Sequence, residues 1–367
     1  MYTTTGERDG RIFAAATVEK AECALRTHGF CIFPGLFKRK EVKKWGDAAL
    51  GDLEEALHKL KGAYGIDLLR PGEGPRIENF HELGMREALR CDIRNGRRMK
   101  ALKVQEEGEA KAAAGKEAAK TVAKNPAATS HVPTGHLRSH PAIASLLATV
   151  SNPVGDPSAA KGNWGRWNFE GGGPEAPPVA LDVNDVGAVM SLPGCSDQTI
   201  HADTAHLYTH VQLPAHYYNL FLPAVGGSES VEGGVEGEIS EEEPLSCSHL
   251  VGQTAFVSGS HVLATSAAVM TQVGGQDLLN SRLVRPHLRE GDALLFDCRI
   301  LHFGLSNQTA PFESPSEAQG EAQGEGKGGI LGSNTSQSVC RPLLYINYTQ
   351  SFFTDPKNWN DKDRLFD

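Results

Sequence analysis

The chain has 367 residues, ordinary apolar content and a formal net charge of −9, a balance that argues against a nucleic-acid partner. No apolar run reaches the length of a membrane span, and Met1 to Arg8 lacks the apolar core of a secretory signal, so a cytoplasmic protein is expected. The seven cysteines stand singly, without a Cys-x-x-Cys pair, which fits free thiols in a reducing compartment better than a disulfide framework.

Thr17 to Thr27 alternates apolar and charged residues at helical spacing. Gly29-Phe30-Cys31-Ile32-Phe33-Pro34-Gly35 is a short β run stopped by Pro-Gly. Lys38 to Leu60 predicts one or two amphipathic helices, with Trp45, Leu50, Leu53, Leu57 and Leu60 on the apolar side. Gly62 to Glu78 is loop-like. Phe80 to Leu102 reads as helix, and its basic cluster of Arg94, Arg97, Arg98 and Lys100 as a solvated helix face rather than an anion site. Val104 to Lys124 is low-complexity, a polar helix or a disordered insert. His140 to Leu147 predicts a helix with Pro141 in its first turn. Ser151 to Pro178 is a Gly- and Pro-rich loop, with Trp164, Trp167 and Phe169 anchoring it or lining a pocket.

From Val179 the pattern changes to short β runs: Gly187–Leu192, Thr199–Asp203, Tyr217–Pro223, Thr254–Val257, Ala293–Cys298 and Leu343–Tyr348. Many short strands without intervening helices predict a sandwich or a jelly-roll barrel. Gly226–Leu245 and Pro311–Val339 have too little apolar content to fold alone and read as exposed loops. One domain spanning 1–367 is expected. It has a helical part over about 15–150, a β core over about 179–350 and low-complexity inserts at 104–124, 226–245 and 311–339.

The chemistry centres on Gln198-Thr199-Ile200-His201-Ala202-Asp203-Thr204. In an extended strand His201 and Asp203 point to the same face. With His302, at the end of a buried-looking strand, they supply two imidazoles and one carboxylate. That donor set suits a non-haem Fe(II) centre with open positions. His206, His210 and His216 lie nearby without such a pattern, and His261 reads as structural. A 2-oxoacid bound to the metal needs a cation for its far carboxylate, and Arg341 opens a strand expected to pair beside His302. Arg299, of opposite parity to His302, should point away.

These pieces resemble the phytanoyl-CoA dioxygenase superfamily in order and content. The matching stretches are Gly29 to Gly35, Gln198 to Asp203, Phe221-Leu222-Pro223, Phe256 to His261, Gly291 to Phe296 leading to His302, and Arg341 to Tyr345. The resemblance implies a mainly β protein with flanking helices around a double-stranded β-helix, the jelly-roll, cupin-like core. It implies Fe(II) on His201, Asp203 and His302, and 2-oxoglutarate anchored by Arg341, with Gln198 and Phe221 as further contacts. It implies a dioxygenase that uses O2 to hydroxylate a small organic substrate, releasing succinate and CO2. The insert 311–339 lengthens the hairpin in which the family's anchoring arginine follows the second histidine. The alternatives are a catalytically inactive β-helix protein and a cupin-like metal-dependent isomerase or hydrolase. Nothing in the sequence speaks to oligomeric state.

Overall fold

The computed structural model describes Glu7 and residues 13–69, 80–121, 137, 140–151, 181–224, 251–271, 274–309, 340–355 and 363–366. The expected exposed loops at 226–245 and 311–339, and Trp164, Trp167 and Phe169, lie outside the described residues.

Helix α1 (Ala15–His28) ends where Gly29 turns the chain at φ 82°, and the Gly29 N–H closes on the Leu25 carbonyl. Only glycine suits this position, because a Cβ would lie 2.6 Å from His261 Nδ1. Strand β1 (Phe30–Phe33) and helix α2 (Arg39–Lys59) follow within the expected segments. Helix α4 (Pro141–Ser151) begins at the proline, whose missing N–H would have had no partner in the first turn.

The segment 80–102 corrects its sequence reading. It is a β-hairpin, β2 (Leu83–Glu87) with β3 (Arg90–Ile93), and only then does helix α3 (Arg97–Thr121) begin. Leu89 at φ 58° turns the hairpin and Asn95 at φ 53° follows β3. Neither residue announces a left-handed conformation as glycine would. Helix α3 contains most of the low-complexity stretch 104–124.

The remaining strands are β4 (Asp182–Ser191), β5 (Tyr217–Pro223), β6 (Thr254–Val257), β7 (Leu283–Val284), β8 (Ala293–Asp297), β9 (His302–Gly304) and β10 (Arg341–Thr349). Short helices α5 (Leu263–Val269) and α6 (Gly275–Arg282) lie between β6 and β7. A seven-stranded sheet runs β1-β8-β5-β10-β4-β3-β2, and a three-stranded sheet runs β7-β6-β9. Every pairing is antiparallel.

Strands β5, β8 and β10 are buried at every residue because both faces of the large sheet are covered. On one face Leu220, Leu222, Leu295, Leu344 and Ile346 pack with Trp45, Leu53 and Leu57 of α2 and Leu146 of α4. On the other, Phe221, Phe296, Leu343 and Tyr345 pack with Phe256 of the small sheet. Each fully buried leucine or isoleucine contributes about 1.5–3 kcal/mol. This double cover explains the nearly unbroken apolar runs.

Two further expectations are corrected. Thr199–Asp203 is not a strand; within it only His201 forms a bridge, to His302. Strand β8 stops at Asp297, a turn intervenes, and His302 begins β9 in the other sheet. Tertiary pairing outweighed local propensity in both places. Among the described residues no helix is long and apolar enough to cross a membrane, and all six described cysteines are free thiols.

Candidate metal centre and its cavity

His201 and His302 are brought together by their backbones. The His201 N–H donates to the His302 carbonyl at 3.0 Å, and the His302 N–H returns a bond at 2.8 Å. Directly opposed residues project side by side, and the two imidazole centroids are 4.6 Å apart. Phe256 stacks on the His302 ring at 5.6 Å and Phe296 meets it edge-on at 5.3 Å, which holds the ring in place.

The ring nitrogens are sorted by hydrogen bonding. His201 Nδ1 lies 2.8 Å from the Thr199 carbonyl, and His302 Nδ1 lies 3.0 Å from the Ile300 carbonyl. A carbonyl only accepts, so each Nδ1 donates, and in the neutral imidazole Nε2 then carries the lone pair. Hydrogen-bonded Nδ1 with bare Nε2 is the form that binds a metal.

Asp203 completes the group. Its Oδ1 is 3.6 Å from His302 Nε2 and its side chain is 25% exposed. Asn219 on β5 donates to Oδ2 at 3.3 Å. The Thr204 N–H bonds the Cys298 carbonyl, which pins the chain just beyond Asp203. Burial pushes the Asp203 carboxyl up, but His302, His201, Arg86 and the Asn219 hydrogen bond together outweigh it and hold the group below the usual carboxylate range. One ligand atom from each of the three residues falls within 4.8 Å of the others, so the triad can hold a metal ion.

The triad opens on a cavity between the two sheets, which also takes in Arg341, Gln198 and Phe221. Strand β10 does not pair beside His302 as expected; it pairs with β4 and β5. Arg341 therefore reaches the cavity from the opposite sheet. The residue is 6% exposed and its Nη1 donates to the Gly252 carbonyl at 3.4 Å. No carboxylate among the described residues pairs with it, and burial alone pushes its pKa down to about 10. A buried charge without a counter-ion is costly. Gln198 is occupied locally: its Oε1 accepts from the Gly304 N–H at 2.9 Å. Phe221 meets Phe296 edge-on at 4.7 Å.

The cavity also includes side chains that sequence reasoning missed. Arg86, Arg90, Arg94 and Tyr345 line it. Asp92, fully buried, accepts from Arg86 Nη2 at 2.7 Å, Arg94 Nη2 at 3.4 Å and the Tyr345 hydroxyl at 2.8 Å. Tyr345 reaches it across β4 because Gly187, its partner there, has no side chain in the way. The basic cluster thus divides. Arg94 faces the cavity, whereas Arg97 is exposed and pairs with Glu55 at 3.1 Å. The available signal was a period of two: Arg90, Asp92 and Arg94 on one face, Cys91 and Ile93 on the other.

The other histidines lie elsewhere. His206, His216 and His261 surround the buried Asp297–Arg299 pair. Burial, aided by Arg299, pushes His216 down to about 4. His261 Nε2 lies 3.1 Å from the Arg26 carbonyl, in keeping with a structural role. His210 is exposed beside Tyr208. Arg299 forks onto Asp297 at 2.9 and 2.6 Å and does not reach the cavity.

Burial raises the Asp297 carboxyl, but Arg299 overrides it and holds it below the usual range. The pair's contribution is therefore present above the unfolded carboxylate value of about 3.9 and is lost as pH falls through the lower folded value. Arg299→Leu strands the Asp297 charge and should cost about 3–5 kcal/mol. Chemical denaturation at pH 7 checks this, and the deficit should shrink as pH falls through the lower folded value and the parent loses the pair.

No family model matches the sequence, and no match was found among curated proteins. Solved structures do show a likeness. AviO1 from Streptomyces viridochromogenes Tue57 is 13% identical, with 93% of this chain and 99% of that chain covered and a TM-score of 0.40. The epimerase SnoN, solved with Fe3+, alpha ketoglutarate and nogalamycin RO, is 13% identical over 92% of this chain and 85% of that one, with a TM-score of 0.40. HygX from Streptomyces hygroscopicus, solved with nickel and 2-oxoglutarate bound, is 12% identical over 92% and 88%, with a TM-score of 0.35. Likeness at this level decides nothing about this chain's chemistry, which rests on the side chains of its own cavity.

Proposed function

We propose that this protein is an Fe(II)- and 2-oxoglutarate-dependent dioxygenase with a double-stranded β-helix core, hydroxylating a small organic substrate. One observation carries the reading. A triad able to bind metal and a buried guanidinium without a carboxylate partner among the described residues face the same cavity. A ligand with a chelating 2-oxo acid at one end and a carboxylate at the other satisfies both.

The donor set fits Fe(II): two imidazoles whose Nδ1 atoms are held by backbone carbonyls, and one carboxylate, leaving positions open. Bound Fe(II) with 2-oxoglutarate and O2 supplies an oxidative decarboxylation to succinate and CO2, coupled to hydroxylation. The chain's own residues hold and orient. Thr199 and Ile300 carbonyls fix the imidazole tautomers, Asn219 aims Asp203, and Arg341 neutralises the far carboxylate. Phe221 and Leu343 supply apolar wall that keeps water from the reacting end.

A cupin-like isomerase or hydrolase would leave Arg341 without a role, and an inactive protein would not need imidazoles held in this way. Anaerobic addition of Fe(II) and then 2-oxoglutarate should produce a weak visible charge-transfer band, with succinate released on admitting air. Tight Fe(II) binding without that band would overturn the reading in favour of the isomerase or hydrolase.

A further inference from the structure

Arg90 brings a second buried guanidinium to the same cavity. It is 1% exposed, and among the described residues no carboxylate pairs with it. Its Nη2 donates to the Leu305 carbonyl at 2.8 Å, the Ser196 carbonyl at 2.9 Å and the Cys195 sulfur at 3.2 Å. Its Nε is buried with no partner. Two of the three acceptors are backbone carbonyls, and none is a carboxylate. A clamp onto such acceptors needs donors only, and a glutamine would provide them without the cost of burying a charge. The charge calls for an anion.

The register shows where that anion would sit. Arg90 pairs with Ser191 across β3 and β4, and Ser191 pairs with Arg341 across β4 and β10. The three form one row, and all three line the cavity. Two strand spacings separate the arginine Cα atoms by about 10 Å, a gap two long side chains can close over the serine. The facing segments agree. Arg90 Nη2 reaches the Leu305 carbonyl and Arg341 Nη1 reaches the Gly252 carbonyl. A Cβ on Gly252 would lie 3.1 Å from that same Leu305 oxygen and 3.2 Å from Ser191 Oγ. Both guanidiniums therefore bond neighbouring parts of the facing segments, and Ser191 lies between the two arginines in the strand register. Gly304 on β9 leaves the room, because a Cβ there would collide with Arg90 Nη1.

We propose that Arg90 joins Arg341, across Ser191, in a doubly cationic receptor for the far carboxylate of 2-oxoglutarate. The inference rests on the proposed function. Its consequence is selectivity: a dicarboxylate 2-oxoacid gains charge-assisted contacts to two arginines that a monocarboxylate 2-oxoacid lacks.

Calorimetric titration of the anaerobic Fe(II)-loaded protein with 2-oxoglutarate, and separately with pyruvate, tests it. Pyruvate can chelate the metal but has no far carboxylate. Arg90→Gln should weaken 2-oxoglutarate about ten- to a hundredfold and leave pyruvate and Fe(II) affinity unchanged. Arg90→Lys keeps the charge and stem but loses the fork, so it should fall between; it carries the same comparison if the glutamine variant does not fold. Parent-like affinity for 2-oxoglutarate in these variants overturns the proposal. An equal loss for both ligands also overturns it, because Arg90 would then be a strap that shapes the site. If the parent takes up Fe(II) but gives no heat with 2-oxoglutarate, the functional reading falls and this inference with it. If Arg341→Gln weakens 2-oxoglutarate and the Arg90 variants do not, only the inference falls.

Discussion

Asp203→Ala should lower Fe(II) affinity by about a hundredfold or more and abolish oxidation of the substrate, while the protein stays folded. Loss of a group that merely orients a ligand already costs ten- to a hundredfold, so loss of a ligand itself should cost at least as much. The carboxylate is the triad's only anionic donor, and Asn219 and the Thr204 backbone hold it in place. Its side chain is a quarter exposed and belongs to no apolar cluster, so the core should tolerate its removal. Competition against a chelator measures the affinity, and a thermal melt checks the fold. Under the proposed function the same carboxylate also bears on the reaction type. In the family that the sequence resembles, members that halogenate carry a small residue at this position, which frees a site for chloride. With Asp203 present, hydroxylation or a related oxidation is expected. Unchanged Fe(II) affinity in the variant, or a chlorinated product from the parent, would sink this assignment.

The second large effect is expected at Arg341. Arg341→Met should weaken 2-oxoglutarate about ten- to a thousandfold, the loss of roughly 1.5–4 kcal/mol that follows removal of a charge-assisted bidentate contact. Fe(II) affinity without the co-substrate should barely change, because the guanidinium enters from the other sheet. The ligand-free protein should behave in the opposite sense. A buried cation held, among the described residues, only by a long bond to the Gly252 carbonyl is a burden on the fold, and a neutral side chain of similar length relieves it. The melting temperature of the variant without ligand should therefore match or exceed the parent's. The parent alone should gain stability as 2-oxoglutarate is added, since a ligand that binds only the folded state stabilises it by mass action. A variant that melts lower than the parent and binds 2-oxoglutarate equally well would show that Arg341 serves packing alone.

Much of this molecule was legible in the sequence where local pattern and burial agree. Tyr217–Pro223, Ala293–Cys298 and Leu343–Tyr348 read as strands from their apolar runs, and the strands found there lie between helices and a second sheet. Pro141 marked a helix start because its missing N–H and fixed φ suit the first turn. His201, Asp203 and His302 were readable as candidate donors from residue type, although the strand expected to align the first two did not form.

Their assembly was decided by tertiary structure. His201 and Asp203 lie on an irregular segment, and a single bridge to His302, about a hundred residues away in sequence, aligns the two rings. Such a pairing leaves no local trace, since one bridge imposes no periodicity. Arg341 was assigned to the right cavity by the wrong neighbour: it enters from β10 beside β4 and β5, and the cavity closes because two sheets face each other. Arg90, Asp92 and Arg94 were hidden for a different reason. Charged residues at spacings of two and four fit a solvated helix as well as a strand, and only pairing with β4 turned that face inward. Side-chain chemistry is written in the sequence, but the direction in which a charged side chain points depends on which strand lies next to it.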